Sequence, residues 1–153
     1  MTNLDYIHAA LSSLYPGISP LDYVWQSTEG GAPEMVSWPE GRYGPLDWPM
    51  VLAECERQER KALIAGIKAE AGRRITEVFP IWKQNNMLMR ALSLSQKGAD
   101  SWTPEEADEA ASLQYAQEWI MSVRVASDAL EATDPLPEDF RSDAHWPDSP
   151  EEE

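Results

Sequence analysis

Cysteine occurs once in the chain, at Cys55, so no intrachain disulfide can form and a thiolate-rich metal site is excluded. This usage fits a reducing compartment. Histidine occurs twice, at His8 and His145. Neither stands at a recognisable spacing from a nucleophile, and a metal centre needs several converging ligands. Long apolar runs are missing too, since no stretch approaches the ~18 consecutive apolar residues of a membrane span. The first fourteen residues carry Asp5 and no Lys or Arg. That start is unlike the basic opening of a signal peptide, and a soluble protein not exported by that route is expected. No Gly-rich phosphate loop, nucleophile elbow or zinc-binding helix occurs.

Positive charge is scarce. Twelve Lys and Arg stand against 27 Asp and Glu, for a net charge of −15. Phosphate contacts dominate nucleic-acid binding, and such a chain would be repelled by them. The distribution is uneven. Residues 1–56 hold one basic residue, Arg42, against eight acidic; residues 57–97 hold nine basic against three; residues 98–153 hold two against sixteen. Two readings of the basic middle stay open. Oppositely charged helices pair within the molecule, or the basic stretch meets an external partner.

What is present is an ordinary folding composition, 42% hydrophobic and 25% charged. It suffices for one domain, or for a small N-terminal lobe packed on a helical one. Seven Trp and twelve Pro stand out. Trp25, Trp38, Trp48, Trp82 and Trp102 adjoin turn segments or element ends. There they can pin elements, because an indole buries a large face while its N–H stays wet.

The spacing of Leu4, Ile7, Leu11 and Leu14 predicts a short amphipathic helix over Asn3 to Leu14, stopped by Tyr15-Pro16-Gly17. Leu21 to Gln26 and Met35 to Trp38 have strand chemistry around a turn at Glu29 to Pro33, which predicts a β-hairpin leaning on a helix. Pro39 to Pro45 reads as a linker. Asp47 is a candidate cap for a helix beginning near Pro49. Leu63, Ile64, Ile67, Ala71, Ile75 and Val78 continue that helix until Phe79-Pro80 breaks or kinks it. Ile81, Trp82, Leu88, Leu92 and Ser95 then follow a helical spacing to Gly98. Thr103-Pro104-Glu105-Glu106 is a capping box, and the apolar stripe behind it, Ala110 to Leu130, predicts a helix antiparallel to the preceding one. After Asp134 the Pro, Asp, Glu and Ser content predicts a disordered acidic tail. The expected fold is mainly α with a small β-hairpin (α+β): a helix-plus-hairpin lobe over 1–45, a helical hairpin domain over 46–132, and the tail over 133–153.

Candidate chemistry is thin. Glu105/Glu106 and Asp108/Glu109 are carboxylate pairs, but catalytic pairs need one partner desolvated in a cleft. These fall in the first turns of a helix, where they suit its dipole. Cys55 has Arg57 and Arg60 nearby, which would lower its pKa, although a small buried thiol on a helix is the commoner role. Trp82 is either a core anchor or a binding anchor.

Two stretches resemble known proteins. Ala9-Ala10-Leu11 through Tyr15-Pro16, then Asp22-Tyr23, Val36-Ser37-Trp38 and Pro45-Leu46-Asp47-Trp48-Pro49, resembles small tailed-phage proteins of the XkdW type, found among tail genes. Arg73-Arg74-Ile75, Pro80, Trp82-Lys83-Gln84-Asn85-Asn86-Met87, Arg90-Ala91 and later Trp119-Ile120 and Arg124 is similar to a helical module in phage proteins encoded next to tail fibres. Together they cover most of residues 9–130; the Gly30-Gly31 turn and the acidic tail go beyond the pattern. The resemblance implies a virion tail component or a tail-fibre accessory or assembly factor, in the virion tail or in host cytoplasm during assembly. It implies no enzymatic activity, and no cofactor is expected. Arg73, Arg74, Trp82, Lys83, Gln84, Asn85 and Arg90 are the expected contacts to a tail or tail-fibre protein, and self-association is a further option. A second function of another class, motivated by the acidic residues after position 98, is a decoy that presents carboxylates as phosphates to a host nucleic-acid-binding protein.

Overall fold

The computed structural model describes residues 4–27 and 33–150. It is mainly helical, with one two-stranded antiparallel sheet. The chain divides into two compact units, Met1–Leu63 and Ile64–Glu153. The division falls inside a long helix, whereas the sequence suggested one near Pro45.

In the first unit a 3-10 turn, Leu4–Tyr6, leads into helix α1, Ile7–Leu14. Ile7, Ala10 and Leu11 recur at three and four residues and are buried. Gly17 reverses the chain with a positive φ of 83° that disfavours any side chain. Strands β1, Val24–Gln26, and β2, Glu34–Ser37, pair Trp25 with Met35 and Gln26 with Glu34. Glu29 to Ala32 of the expected turn lie outside the described residues. So short a hairpin is marginal alone; Trp25 and Met35 lean on the core built by Ile7, Leu11, Ile18 and Tyr23.

The expected linker instead contains a short helix, α2, Glu40–Tyr43. The Pro39 carbonyl accepts from the backbone N–H groups of Arg42 and Tyr43. Trp38 Nε1 reaches over the turn to the Gly44 carbonyl at 2.8 Å, and Tyr15 packs edge-on against Trp38 at 4.9 Å. Aromatic packing therefore orders a stretch whose Pro and Gly content had suggested a spacer. Asp47 Oδ1 accepts from the Met50 N–H at 3.1 Å and starts helix α3, Trp48–Val78. Val51 and Cys55 of α3 complete the first core.

In the second unit α3 buries Ile67, Ala71 and Ile75, followed by Phe79. Pro80 breaks the helix with an extended ψ of 152°. Helix α4, Ile81–Lys97, ends at Gly98, whose φ is 81°. Trp102 Nε1 donates back to the Leu94 carbonyl at 2.9 Å. Helix α5, Pro104–Glu131, opens on a full capping box: Thr103 Oγ1 accepts from the Glu106 N–H at 3.3 Å, and Glu106 Oε2 accepts from the Thr103 N–H at 2.9 Å. Lys97 pairs with Glu106 at 2.5 Å and Arg90 with Glu109 at 2.8 Å. Going back along α4 the partners move forward along α5, so the two helices run antiparallel.

The acidic segment expected to be disordered is packed through residue 150. Leu136, Phe140 and Trp146 are buried. Phe140 lies against the bare backbone of Gly66, where a Cβ would stand 2.9 Å from its Cζ. Trp146 Nε1 donates to the Phe140 carbonyl at 2.6 Å, and Trp119 Nε1 to the Asp148 carbonyl at 2.7 Å. The net composition is polar, but each large apolar side chain buried contributes about 1.5–3 kcal/mol. Three such anchors, together with the hydrogen bonds of the Trp119 and Trp146 indoles and of Arg74, hold the segment against the helices.

Candidate functional site

Only Leu94 of α4 is buried. Its inner side is completed by half-buried Gln84, Met87 and Arg90. Ile81, Leu88 and Leu92, which share one side of the predicted helix, face outward at 60%, 68% and 51% exposure. Trp82 and Met89, both 66% exposed, lie seven residues apart and so on one side of the helix, about 100° round from Leu88. Trp82 is therefore not a core anchor. The Pro80 break ends α3 so that Phe79 takes that place, 5.7 Å from the Trp119 ring.

The seven expected contact residues differ in what holds them. Arg73 binds Glu70 at 2.7 Å and Glu77 at 2.6 Å. Arg74, with only 15% of its side chain exposed, binds Glu70 at 2.8 Å and Asp143 at 2.7 Å and donates to the Arg141 carbonyl. Arg90 binds Glu109 through two nitrogens. The hydrogen bond from Arg73 holds Glu70 below the usual carboxylate range, against the opposing effect of burial. Lys97 does the same for Glu106, and Arg90 for Glu109. These pairs realise the internal reading of the basic middle. Trp82, Lys83, Gln84 and Asn85 cluster instead at the start of α4. Lys83 Nζ sits 5.1 Å over the Phe79 ring, Gln84 Nε2 donates to the Phe79 carbonyl at 2.7 Å, and the side chain of Asn85 is exposed.

A cleft of about 1040 Å³ separates α4 from α5. Leu88, Ala91, Leu113, Ile120 and Met121 supply its apolar walls, Trp102 and Ala99 lie at its turn end, and Gln84, Asn85, Gln114 and Gln117 add carboxamides. Among the described residues its charged lining groups are Glu118 and Arg124. The sequence reading missed this cleft. The available signal was that α4 is apolar on two sides, Met87/Leu94 and Ile81/Leu88/Leu92, which is more than one core contact requires.

The remaining candidates have structural partners. His8 Nδ1 lies 2.8 Å from the Tyr23 hydroxyl, and His145 Nε2 lies 3.0 Å from Asp139. Burial, aided by Glu56, pushes the Cys55 thiol up, the reverse of activation by Arg57, which pairs with Glu54. Among the described residues no group of three or more His, Cys, Asp or Glu side chains is placed to hold a metal ion. No described helix is long and apolar enough to cross a membrane. No protein-family profile, curated protein or solved structure matches the chain.

Proposed function

We propose that the protein is a non-enzymatic phage tail structural or tail-fibre-associated factor that works by protein–protein contact. Its contact strip is Trp82 and Met89, flanked by Lys83 and Asn85. The observation that carries this reading is the outward placement of Trp82. An indole two-thirds exposed beside an equally exposed thioether is the kind of anchor that dominates binding energy in protein interfaces. The resemblance of Trp82-Lys83-Gln84-Asn85 to modules encoded next to tail fibres supplies the class of partner. Arg73, Arg74 and Arg90 act in this reading as supports of the fold.

The decoy reading has less support. A phosphate mimic needs a row of free carboxylates, whereas Glu106, Glu109, Glu131 and Asp143 pair with Lys97, Arg90, Lys68 and Arg74. The test is mass spectrometry of purified particles and of tail-protein complexes from infected cells, with wild-type protein and Trp82→Ala. The reading requires the wild-type chain in one of these and a loss of association for the variant, with its fold intact. A chain absent from both, or an association indifferent to Trp82, would overturn it.

A further inference from the structure

The cleft between α4 and α5 adjoins the Trp82–Met89 strip at Asn85, which borders both, and it leaves a helical pair with one apolar face uncovered. Leu88 and Met121 stand on its two walls at 68% and 47% exposure, with Val125 at 62% one turn beyond Met121. We propose that this face closes on the same face of a second copy of this chain. The two helical hairpins meet about a two-fold axis, with α5 crossing its counterpart at Met121.

The argument for a second copy is charge. The chain carries a net charge of −15, and α5 has seven carboxylates against one basic residue. Yet the cleft presents one charge of each sign, Glu118 and Arg124. They stand three residues before and three after Met121, about 4.5 Å along the helix in either direction. A two-fold interface repeats every contact, because the same patch faces itself. An axis through Met121 brings Arg124 of each copy level with Glu118 of the other, twice over, within the span of an arginine side chain.

Both groups are available. Arg124 is exposed and has no ion-pair partner among the described residues. Glu118 accepts only the Gln114 amide, at 2.8 Å. A strongly acidic or basic partner would find no complementary field on this face, whereas an identical one does. Two antiparallel hairpins packed this way bury the exposed apolar residues as the core positions of a four-helix bundle do.

Sedimentation equilibrium from low micromolar to submillimolar protein tests the assignment. A mass of twice 17.2 kDa is expected, with Met121→Glu monomeric and unchanged in helical circular dichroism. Glu118→Arg alone should weaken association at least about tenfold by placing like charges level across the axis. The double reversal, Glu118→Arg with Arg124→Glu, should restore it. If Met121→Glu perturbs folding, the two charge variants decide alone. A wild-type chain that stays monomeric at every concentration overturns the assignment and leaves the cleft to a different protein. So does a dimer unmoved by the single reversal, or one that the double reversal does not rescue.

Discussion

The guanidinium of Arg74 lies 5.3 Å from the centroid of the Trp146 ring while its Nη2 donates to Asp143 and to the Arg141 carbonyl. Glu70, itself buried, holds the Arg74 Nε from behind at 2.8 Å. One side chain of α3 thus fastens the C-terminal segment at three points. Arg74→Ala is expected to lower stability by about 1–3 kcal/mol, the usual scale for losing hydrogen bonds to a charged group. It should also open residues 134–150 to protease. Urea unfolding together with limited proteolysis checks both, and an unchanged midpoint with a still-protected segment would refute the fastening.

Removing residues 133–153 takes away Leu136, Phe140 and Trp146 together. At about 1.5–3 kcal/mol per buried side chain, the melting temperature should fall by about 10 °C or more. Thermal unfolding of the truncated chain gives the answer; a shift of only a few degrees would mean the segment rests on the body without stabilising it.

Gly66 and Phe140 should be energetically coupled with a change of sign. Ala in a helix is favoured over Gly by up to about 1 kcal/mol, but the added methyl would meet the Phe140 ring at 2.9 Å, and overpacking costs about 1–3 kcal/mol. Gly66→Ala is therefore expected to destabilise the wild-type chain and to stabilise Phe140→Ala. Phe140→Ala alone should cost about 3–5 kcal/mol. A double-mutant cycle by denaturant reads the coupling, and additivity would place the ring elsewhere.

Thr103→Ala removes one half of the capping box and should cost about 0.5–2 kcal/mol. Thr103→Ser keeps the acceptor and should recover most of it. Equal losses in both variants would mean that the methyl group matters and the hydroxyl does not.

Acid should unfold the protein in a defined window. Glu70, Glu106 and Glu109 have folded-state pKa values lowered by Arg73, Lys97 and Arg90 respectively. Below the ordinary carboxylate range the unfolded chain takes up protons that the folded chain resists. Stability from these groups is thus fully present above that range and is lost as the pH falls through the lowered values. Melting temperature against pH should stay level from neutral down to the carboxylate range and then drop. Glu70→Gln should shallow the drop.

Local signals in the sequence were strong wherever one residue decides an outcome. Asp47 caps α3, Pro80 ends it, Gly98 ends α4, and Thr103 with Glu106 opens α5, because each of these roles depends on one backbone group and one side chain. The segment after Asp134 was misread because average composition hides three well-placed apolar residues among acidic ones. The outward direction of Ile81, Leu88 and Leu92 was not legible, because spacing gives the side of a helix but not what lies against it. For the same reason the basic residues looked like a partner surface: Arg74 and Asp143 are 69 residues apart, and nothing local links them.

The indole N–H groups of Trp38, Trp102, Trp119 and Trp146 each donate to a main-chain carbonyl, those of Gly44, Leu94, Asp148 and Phe140. Each clasp closes a different segment: the α2 turn, the α4–α5 connection, the chain end and the loop before it. Because indole protons resonate apart from backbone amides, their exchange with deuterated solvent gives four separate clocks. Each one times the opening of its own segment without any substitution in the chain.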